Sequence, residues 1–142
     1  MRLHVAGHYW HYSEPRRIAW EGGEVDGLCS VAPRREIRVC RKLRGRRKAE
    51  TQLHELAHAA NFSSSENWVT NFAAAACDLC YLAGAGLCRD GDRVAGAAII
   101  RQVLFHSLRL ARGDIEDDEL VQDWADDLTR CLGRLKWAAF TN

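Results

Sequence analysis

Long apolar runs are missing from this chain of 142 residues. Nowhere does it approach the ~18 consecutive apolar residues that a membrane-crossing helix requires, so no membrane partner is expected. The opening Met1-Arg2-Leu3-His4-Val5-Ala6-Gly7-His8 holds no apolar core of the secretory kind, and the expected location is cytoplasmic. Proline is limited to Pro15 and Pro33, which leaves glycine as the main punctuation: Gly7, Gly22-Gly23, Gly84 and Gly86. A calcium loop is also absent, since Arg89-Asp90-Gly91-Asp92 offers only two alternating acids and reads as a turn. The length suits one domain, 1–142, able to bury a core without covalent or metal staples.

Cysteine is present at 29, 40, 77, 80, 88 and 131, but a disulfide framework is not expected in a reducing compartment. Cys77-x-x-Cys80 with Cys88 is a candidate second zinc site. Against it, the first two lie in an alanine-rich helical stretch with no obvious fourth ligand, which favours small buried thiols. Cys29 and Cys40 can face each other across a hairpin.

Excess charge is lacking overall, at +1, yet the two signs are segregated. Residues 1–48 carry 12 Lys/Arg against 5 Asp/Glu, and residues 49–142 carry 8 against 14. The basic half ends in Arg41-Lys42-Leu43-Arg44-Gly45-Arg46-Arg47-Lys48. The plain reading is a solvated loop; the sharper one is a phosphate-binding patch for nucleic acid. No aromatic residue interrupts the run to offer a base a stacking surface.

Against that background one stretch stands out: His54-Glu55-Leu56-Ala57-His58. Glu50 to Ala60 contains no Gly, Pro or Asn, and Leu53, Leu56, Ala57 and Ala60 form an apolar band, so a helix is expected. On a helix, positions i and i+4 share a face, and both imidazoles can reach one metal ion. Two nitrogen ligands suit zinc. Glu55 then stands beside the metal as a general base for the attacking water. A third protein ligand is needed. Glu66 is favoured, because a short Asn61–Ser65 turn would return it toward His58; Asp78, about three turns along the same helix, is the reserve. Ser63-x-x-Glu66 also fits a capping box, which would commit Glu66 to backbone amides.

The motif His54-Glu-Leu-Ala-His-Ala, a short loop, Ser65-Glu-Asn-Trp-Val and then an alanine-rich helix with Asp78 resembles a group of small HExxH proteins of bacteria and phages. These are zincin-like metallopeptidases, related in plan to SprT-like and ImmA/IrrE-like proteins. Asp26-Gly27-Leu28-Cys29 and Arg35-Glu36-Ile37-Arg38-Val39 resemble the strands that precede the motif there, so the similarity covers roughly residues 1–85. The resemblance implies His54 and His58 as zinc ligands, Glu55 as base and Glu66 as third ligand. It also implies a peptide or protein substrate paired to a strand edge, with Glu36–Cys40 as the candidate edge.

The rest of the chain is read from periodicity. His8 to Tyr12 reads as a strand, and His4, His8 and His11 are read as ordinary strand side chains rather than a metal site. Segments 29–32 and 35–40 flank Pro33-Arg34 as a hairpin or a tight loop between two short strands. Helices are expected over 66–83, stopped by Gly84 and Gly86, over about 93–111, and from Glu116–Glu119 onward. His106 is a remote candidate for steadying an oxyanion. The expected fold is α+β: a small N-terminal sheet on about four helices, with zinc between the first two. The expected function is zinc-dependent peptide hydrolysis. The alternatives are a DNA-associated protein using 41–48, or a non-catalytic zinc-binding regulator.

Overall fold

The computed structural model describes residues 1–61, 64–87, 93–112, 118–135 and 137. Its strands are β1 (Arg2–Val5), β2 (His8–Ser13), β3 (Ala19–Trp20), β4 (Gly23–Glu24), β5 (Gly27–Ser30) and β6 (Glu36–Val39). Its helices are α1 (Gly45–Ala60), α2 (Glu66–Leu87), α3 (Arg93–Arg112) and α4 (Asp118–Arg134). The organisation is the expected α+β one. The segments 88–92 and 113–117, on which the expected turn at Arg89–Asp92, the start of the fourth helix at Glu116 and Cys88 fall, lie outside the described residues.

β1 and β2 form a hairpin whose two loop residues, Ala6 and Gly7, have φ of 50° and 81°. Positive φ at both positions matches the right-handed twist of the strands they join. The main sheet runs β1-β2-β6-β5, with β6 parallel to β2 and antiparallel to β5. Alternation sends Leu3, Val5, Trp10, Tyr12, Ile37 and Val39 to one buried face. α1 lies on that face against β5, β6 and β1, and the helices then pack in chain order, α1 on α2, α2 on α3 and α3 on α4. A continuous apolar core extends from Leu3 to Trp137. The Trp137 indole N–H donates to Ala49 O at 2.9 Å and ties the C-terminal segment to α1.

The two margins of the sheet differ. α4 covers β1: Arg134 donates to Arg2 O, Arg130 donates to His4 O at 3.4 Å, and Asp127 accepts from the Ala6 N–H at 3.0 Å. Side chains thus answer the backbone groups that an edge strand leaves unpaired. Among the described residues β5, at the other margin, pairs with β6 alone.

Several expectations need correction. α1 begins at Gly45, not near Glu50, so half of the basic run is helical rather than loop. Arg and Lys are good helix formers, and these ones find acidic partners. α2 continues through Gly84 and Gly86 to Leu87. An interior glycine costs a helix about 1 kcal/mol, which packing readily offsets. Cys29 pairs with Ile37 in the register, so it does not face Cys40. β6 is flanked by β2 and β5 and has no free edge to offer a substrate.

Candidate metal centre

The apolar face of α1 sets the orientation of the motif. Ala49, Leu53, Leu56, Ala57 and Ala60 are buried, and His54 and His58 stand at the boundary of that face. One turn apart, their rings are 4.8 Å between centroids and their Nε2 atoms 3.2 Å apart. Two ligands on a tetrahedral ion with bonds of about 2.0–2.1 Å lie about 3.3 Å apart, so the pair already has the spacing zinc requires.

The turn after α1 delivers the third donor. Asn61 Nδ2 donates to Ser64 Oγ at 2.7 Å, and the Ser64 N–H donates to Asn61 O at 3.1 Å. Ser65 caps α2, accepting from the Trp68 N–H on its Oγ at 3.2 Å. Ser63 lies outside the described residues. A capping box built on it would need Glu66 at the third helical position, whereas Glu66 opens the helix and its carboxylate is directed elsewhere. Glu66 Oε1 is 2.7 Å from His54 Nε2, and Oε2 is 2.9 Å from His58 Nε2. Donor atoms of His54, His58 and Glu66 all lie within 4.8 Å of one another, and the group can hold a metal ion. Glu66 is 70% exposed, so the group opens to solvent on that side. Burial lowers the pKa of His54, against the opposing pull of Glu66, and so favours the neutral imidazole that binds metals.

Asp78 is elsewhere. Arg46 of α1 binds it, and also donates to Glu50 at 2.7 Å and to Ala74 O at 3.2 Å. Asp78 therefore fastens α2 to α1.

Glu55 is 6% exposed, and burial, followed by the nearby Glu66 charge, raises its pKa to about 8. A divalent cation at the histidines would pull it back down. Strand β5 presses on it: a Cβ built on Gly27 would lie 2.8 Å from both Glu55 Cγ and Oε1, and 2.7 Å from Thr51 Cγ2. His54, Glu55 and Glu66 line a cleft of about 360 Å³ with Gly27, Thr51, Thr70, Ala73 and Ala74. At its rim Asp26 accepts two hydrogen bonds from Arg47, at 2.6 and 2.8 Å.

The remaining candidates fall away from this site. Cys77 and Cys80 are buried in the core, where burial pushes both thiols up to about 12. His4 meets Tyr9 edge-on, and His8 and His11 are exposed on β2. His106 is exposed on α3 and is not among the residues lining the cleft. In the basic run, Arg44 donates to two carbonyls, Arg46 and Arg47 hold the acids named above, and Lys48 binds Glu14 at 2.7 Å. Among the described residues, Arg41 and Lys42 make no ion pair. Sequence reasoning did not find Gly27 as a neighbour of Glu55, nor the Asp26–Arg47 pair. Both join positions far apart in the chain, and no local pattern marks them.

Compared with known proteins, the chain matches no family model, no curated protein and no solved structure, so the site's own chemistry is the basis for its function.

Proposed function

We propose that the protein is a zinc-dependent peptidase. The observation that supports this most is the convergence of two imidazoles and a carboxylate within 4.8 Å, with a buried fourth group, Glu55, on the same cleft but outside the donor set. His54, His58 and Glu66 would hold the ion. When bound, zinc supplies Lewis acidity toward water and the scissile carbonyl. Glu55 accepts the proton of the attacking water and later passes it to the leaving amine. Its low exposure keeps bulk water from competing for that proton. β5, not β6, is the strand whose open margin can pair an extended peptide, and Gly27 on it reaches Glu55 directly. Free thiols at Cys29, Cys40, Cys77, Cys80 and Cys131 fit a cytoplasmic setting.

The test is Glu55→Gln on a peptide library or an unfolded protein. The variant keeps zinc and fold and loses turnover by about 10²–10⁴-fold. Equal turnover in parent and variant removes Glu55 as base. A parent that binds zinc and cleaves nothing across the library is a non-catalytic metal protein.

One observation favours a second reading, contact with nucleic acid. Pro15 O accepts from the Arg41 N–H at 2.8 Å, and Arg16 O accepts from Cys40 Sγ at 3.3 Å, which sets exposed Arg16 beside exposed Arg41 and Lys42. A gel shift at low salt tests it. Binding that weakens in Arg41→Ala/Lys42→Ala supports the reading, and no binding by the parent removes it.

A further inference from the structure

We infer that Gly27 is a positioning residue for Glu55: the missing side chain lets the margin strand close on the carboxylate and fix it beside the metal ligands. The inference rests on the peptidase reading for its consequence and on packing for its geometry. Any other residue at 27 would place a Cβ 2.8 Å from Glu55 Cγ and Oε1. Carbon atoms settle at about 3.5 Å or more, so Glu55 would have to move by about 0.7 Å.

The strand cannot simply retreat instead. The residue just before it, Asp26, accepts both Arg47 hydrogen bonds from α1, and Asp26 O accepts from the Cys40 N–H at 2.7 Å. Backbone on one side and helix on the other thus hold position 27 in place. The backbone of Gly27 does not take a positive φ, so close approach rather than backbone freedom explains the glycine.

The misplacement matters because Glu55 works by distance. A base displaced by a fraction of an ångström no longer meets the water it should deprotonate, and displacements near 1 Å can cost about 10²-fold in rate. Strand pairing of a peptide would use the β5 backbone, which alanine retains, and the metal would use His54, His58 and Glu66, so KM and zinc content should change little.

Gly27→Ala tests this, with Gly27→Ala/Thr51→Ser as its control. Serine keeps the hydroxyl that donates to Arg47 O at 2.7 Å and drops the Cγ2 methyl, which removes the Thr51 clash and leaves the Glu55 clash. Both zinc-loaded variants would be compared with the parent by zinc content, peptide kinetics and crystallography. The expected result for the double variant is parental zinc content, KM within about threefold, kcat lower by about 10–100-fold, and a displaced Glu55 carboxylate. Full recovery of kcat in the double variant, or Glu55 at its parental position in the crystal, overturns the inference. So does a failure of both variants to fold, because the glycine then serves strand packing. If the parent itself cleaves no peptide, the peptidase reading fails, and the crystal structures still decide whether Gly27 sets Glu55.

Discussion

Glu66 and Asp78 carry the same functional group on the same helix, and their neighbours separate them. Glu66 meets both imidazoles, while Asp78 is held by Arg46. Glu66→Ala should weaken zinc binding by more than about 100-fold, beyond the usual loss for an outer partner, and Asp78→Ala should leave it within a few-fold. Competition with a chromophoric chelator measures both; a reversed order would return the ligand role to Asp78. Tyr12 offers a test of stability instead. Its hydroxyl donates to Glu14 and accepts from buried Gln52 Nε2, each at 3.0 Å, while Gln52 Oε1 already lacks a partner among the described residues. Tyr12→Phe should cost about 1–3 kcal/mol in urea unfolding with zinc content unchanged, because a buried amide loses its acceptor. At this scale the sequence was informative where chemistry is local. The i, i+4 histidines needed only a helix, whereas the partners of Tyr12 and Gly27 come from distant strands and helices.

The elements were legible in proportion to their length and periodicity. α3 and α4 repeat apolar residues over many turns and lie within a few residues of their expected bounds. β3 and β4 are two residues each, too short for alternation to register. The role of β6 was misread because its parallel pairing with β2 spans segments that local pattern cannot connect. The covered margin of the sheet carries its own prediction. Asp127→Ala leaves the Ala6 N–H without its acceptor and should lower stability by about 1–2 kcal/mol while zinc affinity stays parental. Thermal unfolding of metal-free and zinc-loaded samples separates the two effects. A large loss of zinc affinity would mean that α4 supports the metal site through α1.

Across the whole molecule, the candidate metal donors His54, His58 and Glu66 come from two consecutive helices, so occupancy should stabilise the fold. Zinc at about 100 times its Kd should add about 2.7 kcal/mol, and chelation should remove it, read as a reversible shift of Tm. An unchanged Tm on adding zinc would show that the three donors bind no ion. Contacts of long sequence separation have a further consequence, which concerns time. Ala6 and Asp127 are 121 residues apart, and His4 O and Arg130 are 126 apart. A ribosome working at about 5–20 residues per second needs about 6–25 s between making the first strand and the helix that covers it. α1 and the start of α2 emerge well before α4. A metal ion could therefore reach His54, His58 and Glu66 while β1 is still an open edge, and that interval is when two growing chains would be most able to pair with each other.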